Sequence, residues 1–205
     1  MYIKNINVNY GDKIIYKDFS INIESDKINC IIGQSGCGKT TLLKNISKEL
    51  IKNGAEVSFV FQEDRLIPWK TVYENLYLIS KSYYSKNKAR GKVSEVLITI
   101  GLEESKNLYP NELSGGMKQK INIARALISK SKFLIMDEPF KSIDKKSKIK
   151  IINIIKEKIR KEKLTVIFVS HDKEEIDLLG EKIFILDGQP IKVIEEYDNF
   201  IEKIR

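Results

Sequence analysis

Apolar and polar residues along the chain follow two rhythms. "KINCII" (27–32), "FLIMD" (133–137) and "LTVIFVS" (164–170) are short continuous apolar runs. Such a run marks a strand covered on both faces, because both sides of its pleat must meet other elements. "EVSFVF" (56–61) reads as another strand, and residues 2–8 and 14–23 read as two more, joined by a turn at Gly11-Asp12. Elsewhere the spacing is helical. A helix is expected from about Lys39, with Leu43, Ile46 and Leu50 on one side. Thr71 and Glu74 form a T-x-x-E capping box, and Val72, Leu76, Ile79 and Tyr83 follow it at helical intervals. Val93, Val96, Leu97 and Ile100 repeat that spacing, with Gly101 as the stop. A further helix follows "NELSGG" and runs to about Ser129, and an Ile-rich amphipathic helix covers about 144–162. "EKIFILD" and "PIKVIEE" (181–196) close the chain as strands, with a short helix at the end.

Strands alternating with helices predict an α/β fold with a mostly parallel sheet covered on both faces. The block at about 63–129 contains helices only and reads as an inserted helical subdomain. There is no internal repeat and no low-complexity linker.

Composition narrows the class. At 205 residues the chain is one large domain, or one domain with a smaller insertion, and 42% apolar with 31% charged residues makes it globular. No apolar run approaches the roughly 18 residues of a membrane span, and no signal peptide opens the sequence, so a soluble, cytosolic protein is expected. A net charge of +8 raises nucleic acid or an anionic membrane as partners. The basic residues, however, alternate with acidic ones, as in "KEKIRKEK" (156–163), with no aromatic-basic stripe. Over-use of Lys, Ile and Asn accounts for the charge, and no nucleic-acid partner is expected. Cys30 and Cys37 are the two cysteines, too few for a structural zinc site. Cys37 lies among glycines before a helix, where the dipole can activate a thiol, or where a small residue is simply tolerated.

The stretch Gly33-Gln34-Ser35-Gly36-Cys37-Gly38-Lys39-Thr40-Thr41 follows a buried strand and opens a helix. It matches the G-x-x-x-x-G-K-[ST] phosphate-binding loop. Glycines let backbone N–H groups approach phosphate oxygens, and the helix adds its positive end. Lys39 is placed to reach the β- and γ-phosphates, and Thr40 to hold Mg²⁺. The fold expected is therefore a P-loop NTPase of RecA-like type.

Asp137 ends the strand "FLIM", where a Mg²⁺-organising carboxylate belongs, and Glu138 follows it. Pro139 keeps Glu138 out of helical conformation, and a carboxylate there can deprotonate an attacking water. In "LSGGMKQK" (113–120), Ser114 can cap a helix whose first turn holds Gly115 and Gly116. Two glycines weaken a helix by roughly 1 kcal/mol each against alanine, which calls for a reason. A second helix start with uncovered N–H groups facing phosphate is that reason.

With these motifs in this order, nearly the whole chain resembles the ATP-binding subunit of ATP-binding-cassette (ABC) transporters. The resemblance implies that Tyr10 stacks on adenine and that Gln62, in "VFQEDRLIPW", senses Mg²⁺ and water and links to the membrane subunits. It implies that Ser114, Gly115 and Gly116 act on the nucleotide held by the opposite subunit, with Asp144 of "KSID" in the D-loop. His171 of "FVSHD" matches the switch histidine that contacts the γ-phosphate. "FQEDRLIPWKTVYENL" is most similar to importer ATPases for nitrate, sulfonates, taurine and thiamine pyrimidine precursors. Its Trp69 either docks on a membrane subunit or packs the helical subdomain.

Three departures from the family pattern stand out. The Lys39–Gln62 stretch is short, so the N-terminal antiparallel β part is expected to be trimmed. Lys141-Ser142 replaces a small pair before Asp144. Only residues 172–205 follow His171, which leaves no room for a regulatory domain. The reading is a single ATPase domain, with 1–62 and 130–205 as nucleotide-binding core and 63–129 as helical subdomain. Two copies, or a paired cassette, sandwich ATP and Mg²⁺ on the inner face of the cell membrane. They drive integral permease subunits and, indirectly, a substrate-binding protein, for a small organic or oxyanion solute. The alternative is a soluble ABC ATPase acting on DNA or ribosomes.

Overall fold

The computed structural model describes residues 1–198. Strands β1 (Tyr2–Tyr10) and β2 (Lys13–Asn22) pair antiparallel around the Gly11-Asp12 turn as a separate two-stranded sheet. The main sheet comprises β3 (Ile28–Gly33), β4 (Val57–Val60), β5 (Phe133–Asp137), β6 (Thr165–Val169), β7 (Lys182–Asp187) and β8 (Lys192–Asp198). Its order is β4-β5-β6-β3-β7-β8, parallel throughout except for β8. The central strands are the ones with continuous apolar runs: Ile28 to Ile31 and Thr165 to Val169 are all buried. The expected parallel sheet and N-terminal antiparallel pair are thus both present.

Helix α1 (Lys39–Lys52) and the β1–β2 hairpin cover one face of the sheet. Leu42, Leu43 and Ile46 meet Tyr16, Ile135 and Ile167 there. The other face carries α5 (Lys145–Glu162), α6 (Lys173–Leu179) and part of α4 (Gly115–Ile128), with Ile151, Ile155, Ile176 and Ile123 against Met136 and Phe168. Fully burying one such aliphatic side chain is worth about 1.5–3 kcal/mol.

A third apolar cluster joins α2 (Val72–Tyr83), α3 (Lys86–Ile100) and α4. The Thr71–Glu74 capping box starts α2, with both reciprocal bonds made, and Gly101 ends α3 in left-handed conformation. Helix α4 serves two cores. Its Ile123, Ala126 and Leu127 pack toward the sheet, whereas Ile121, Ala124 and Ile128 pack toward α2 and α3.

Two details differ from the sequence reading. Phe61 lies beyond β4, which is shorter than "EVSFVF" suggested. Helix α6 was not expected. At seven residues it is too short to show periodicity, and it depends on Asp172, whose side chain accepts from the N–H groups of Glu174 and Glu175. The short terminal helix expected after β8 lies outside the described residues.

Candidate functional site

The loop 34–38 leaves β3 at its C-terminal end and turns into α1. Gly38 makes the turn at φ 101°, where a Cβ would approach Ile15 Cγ2 to 2.8 Å, so only glycine fits. No side chain caps α1, and no acidic residue sits in its first turn, so its leading N–H groups remain donors for an anion. The Lys39 side chain folds back over the loop and donates from Nζ to the carbonyls of Gly33 and Gln34, both at 2.8 Å. Tyr16 donates its hydroxyl to the Gly38 carbonyl at 3.1 Å, and the Tyr10 and Thr41 hydroxyls meet at 3.3 Å. Tyr10 is 64% exposed, which leaves its ring face open.

The five parallel strands, β4-β5-β6-β3-β7, all end on this side. In open α/β sheets that edge is where ligands bind. Asp137, the last residue of β5, accepts a 2.6 Å hydrogen bond from Thr40 Oγ1. Burial pushes its carboxyl above the usual range, and the neighbouring Glu138 charge adds to this, against the Thr40 hydrogen bond and the Lys39 and Lys44 charges. The negative charge at Asp137 is thus poorly solvated. The Thr40 hydroxyl and the Asp137 carboxylate are hard oxygens of the kind that Mg²⁺ takes.

Glu138 has φ 45°, a left-handed conformation uncommon outside glycine, and its N–H donates to the Val169 carbonyl at 3.0 Å. Glu138 is thus outside the right-handed helical region, as expected before Pro139, although left-handed rather than extended. Its Oε2 accepts from Gln62 Nε2 at 3.3 Å, and its Oε1 lies 3.3 Å from His171 Nδ1. Three residues far apart in sequence, each following one of the adjacent strands β4, β5 and β6, therefore meet at one carboxylate.

Ser114, Gly115, Gly116 and Asp144 form a second group. Ser114 caps α4 by accepting from the Met117 N–H at 3.3 Å. Asp144 caps α5 by accepting from the Ser147 N–H at 2.9 Å and from Lys120 Nζ at 3.0 Å. These hydrogen bonds, that of the Ser147 backbone first, hold the Asp144 carboxyl well below the usual range. Among the described residues, no hydrogen bond joins this group to the loop 33–41.

The two glycines of the cap have separate reasons. Gly115 faces open space, but a Cβ on Gly116 would run into the carbonyl oxygen of Ser142, itself at φ 66°. Close packing against the 140–143 turn is a second reason for glycine at Gly116, beside the uncovered N–H groups expected there. Gly116→Ala is expected to lower stability by about 1–3 kcal/mol, the usual cost of overpacking. Gly115→Ala should be neutral or stabilising, by up to about 1 kcal/mol. Denaturant unfolding of the two variants checks the difference.

Sequence reasoning gave no role to Tyr16, Ser142 or Gln119. Gln119 is buried in α4 and donates to the Pro139 carbonyl at 3.0 Å, and Asn122 donates to its Oε1 at 3.3 Å. The signal was a Gln and an Asn among apolar positions of one helix. Trp69 is 75% exposed, while Leu66 of the same "LIPW" piece is buried, so the tryptophan does not pack the helical cluster. A groove runs between β4, α4 and the end of α2, with Phe61, Arg65, Ile79, Tyr83 and Arg125 in its wall.

The chain is 36% identical to the aliphatic sulfonates import ATP-binding protein SsuB of Bacillus licheniformis, across 87% of this chain and 75% of that protein. It is 33% identical to the spermidine/putrescine import ATP-binding protein PotA of Pasteurella multocida, across 98% of this chain and 61% of that one. The ATP-binding cassette MJ0796, solved as a dimer in a post-hydrolysis state with ADP and Pi, superposes with a TM-score of 0.83. It is 29% identical, with 97% of this chain and 98% of that chain covered. The sequence model described as ABC transporter matches residues 16–141, the span from β2 to the turn after Glu138. With the phosphate loop, the paired carboxylates and the capped glycine helix in place, the chain belongs to the ABC transporter family, as one of its ATPase cassettes.

Proposed function

We propose that two copies of this chain close around two molecules of ATP and hydrolyse them to drive an importer. The observation that carries the reading is the meeting of Gln62 and His171 at Glu138, next to the Thr40–Asp137 pair. Gly33 to Thr41 and Lys39 bind the phosphates, and Tyr10 stacks on adenine. Thr40, Asp137 and Gln62 hold Mg²⁺, which supplies neutralisation of phosphate charge. Glu138 accepts the proton of the attacking water while the oxygen of that water bonds to the γ-phosphorus. The bond from that phosphorus to the β–γ bridging oxygen breaks, and ADP and phosphate leave. Lys39 and His171 stabilise the γ-phosphoryl charge as it shifts. Ser114, Gly115, Gly116 and Asp144 serve the nucleotide of the second copy.

The division into a nucleotide-binding core, 1–62 with 130–205, and a helical subdomain, 63–129, belongs to the same proposal. A separate apolar cluster under α2, α3 and α4 supports it. Among the described residues, no helix is long and apolar enough to cross a membrane. The relatives named above are import ATP-binding proteins, which supports a place on the inner face of the cell membrane beside integral permease subunits and, indirectly, a substrate-binding protein. Exposed Trp69 and the groove walled by Phe61, Arg65 and Arg125 are the proposed permease contacts. A small organic or oxyanion solute fits the sulfonate relative. The polyamine relative is nearly as similar, because the cassette does not touch the solute. The relatives named above do not favour the reading as a DNA- or ribosome-acting ATPase.

Two measurements test this reading. Cys37 lies in the loop, half-buried, whereas Cys30 is fully buried and burial raises its thiol pKa. Mg·ATP is expected to protect Cys37 from a thiol reagent, with Cys30 slow throughout, and equal labelling of Cys37 with and without nucleotide would count against the loop. A photo-crosslinker in place of Trp69 is expected to capture a membrane-spanning chain in the native cell. Capture of soluble chains alone would overturn the importer assignment.

A further inference from the structure

His171 is an exposed ring on a short turn, with 74% of its side chain open to solvent. Its one polar approach among the described residues is to Glu138. A ring so exposed holds a position only if its backbone is fixed, and its two neighbours in the chain do this. Ser170, 2% exposed, donates to Glu175 Oε2 at 2.6 Å and accepts from the Asp172 N–H at 3.0 Å. Asp172 caps α6. Both carboxylates then converge on one ammonium from another helix. Lys148 of α5 donates to Asp172 Oδ2 at 2.9 Å and lies 2.7 Å from Glu175 Oε1. Lys148 is 8% exposed and Glu175 5%.

Burial works to lower the Lys148 pKa, but the hydrogen bonds to Glu175 and Asp172 outweigh it and raise the pKa, so the ammonium stays charged. Stability is a poor account of such a cluster, because a buried ion pair is often matched by apolar residues of the same volume. What an ionic cluster does supply is fixed geometry. Lys148 also stands one helical turn behind Asp144, whose carbonyl accepts its N–H at 2.9 Å.

We propose that Lys148 is a positioning residue for His171, clamping the turn from Ser170 to Glu175 so that the imidazole stays at Glu138. The clamp ties that placement to the first turn of α5, the segment Asp144 caps. The consequence for turnover rests on the proposed part of His171 in hydrolysis; the clamp itself does not.

His171 is the single histidine of the chain, so one imidazole resonance reports its position. In the wild-type protein this resonance is expected to shift when Glu138 is changed to Gln. In Lys148→Met it should lose that response and move toward the position of a free histidine side chain. Lys148→Met leaves Glu175 buried without its cation, so the charge-balanced pair Lys148→Met with Glu175→Gln carries the same test if the single variant fails to fold. Lys148→Arg keeps the cation and should recover most of the response. In parallel, Lys148→Met should lower kcat by about tenfold with KM for ATP within about twofold. Added to His171→Ala, it should cause no further loss, since residues acting through one group are not additive. A His171 resonance that still responds to Glu138→Gln in the charge-balanced variant overturns the clamp, as does a kcat loss that multiplies with that of His171→Ala. If the resonance behaves as expected but His171→Ala turns over at the wild-type rate, the clamp stands and the catalytic part given to His171 falls.

Discussion

Glu138→Gln is expected to cut phosphate release by about 10²- to 10⁴-fold, the range removed with a general base. The amide keeps the shape of the side chain and can still meet Gln62 and His171, but it cannot take a proton. ATP binding should survive. Glu138 lies beside Asp137, so removing its charge relieves repulsion against both that carboxylate and the incoming triphosphate. The variant is therefore expected to accumulate as an ATP-bound dimer, visible by size-exclusion chromatography in the presence of Mg·ATP. Turnover within about threefold of wild type would move the base elsewhere.

Mixing Lys39→Ala with Ser114→Arg should restore ATP occlusion that neither variant shows alone. The reason lies in the separation of the two groups within one chain. Lys39 bonds to the carbonyls of Gly33 and Gln34, and Ser114 bonds to Met117, with no hydrogen bond between the groups among the described residues. Both present helix N-termini, yet one triphosphate needs only one cradle from its own chain. In a head-to-tail pair the two lesions fall in the same site and leave the second intact. Both lesions in one chain, paired with wild type, should damage both sites. Occlusion of labelled ATP is the readout, because hydrolysis can require both sites. A mixture that forms heterodimers but never exceeds its components would end the shared-site mechanism.

Much of this molecule was legible in its residues for a local reason. The buried strands announce themselves as unbroken apolar runs, and the phosphate loop, the Thr71–Glu74 box and the Ser114 cap are each set by residues within a few positions. Contacts that close over long separations were not legible. Nothing near Gly116 in sequence signals the Ser142 carbonyl, and nothing near Pro139 signals Gln119. Helix α6 fell between the two cases, too short for a period and stabilised by Lys148 from another helix. The left-handed backbone of Glu138 depends on β6 as well, since the Val169 carbonyl accepts its N–H. Motif residues were therefore found, while the second ring of side chains that holds them was not.

Helix α4 has a mechanical consequence. Its N-terminal end carries Ser114 and Gly115, its C-terminal part lines the groove at Arg125 and Ala126, and its flanks are packed into two cores. A helix gripped on two sides moves as a rod rather than bending. Fourteen residues at 1.5 Å each make it about 21 Å long. Pivoting by about 10° at the groove end sweeps the far end through roughly 3.5 Å, about the reach of one hydrogen bond. A tilt of that size, set at the groove, would change which groups Ser114 can reach, so α4 would couple the groove to its own capped end.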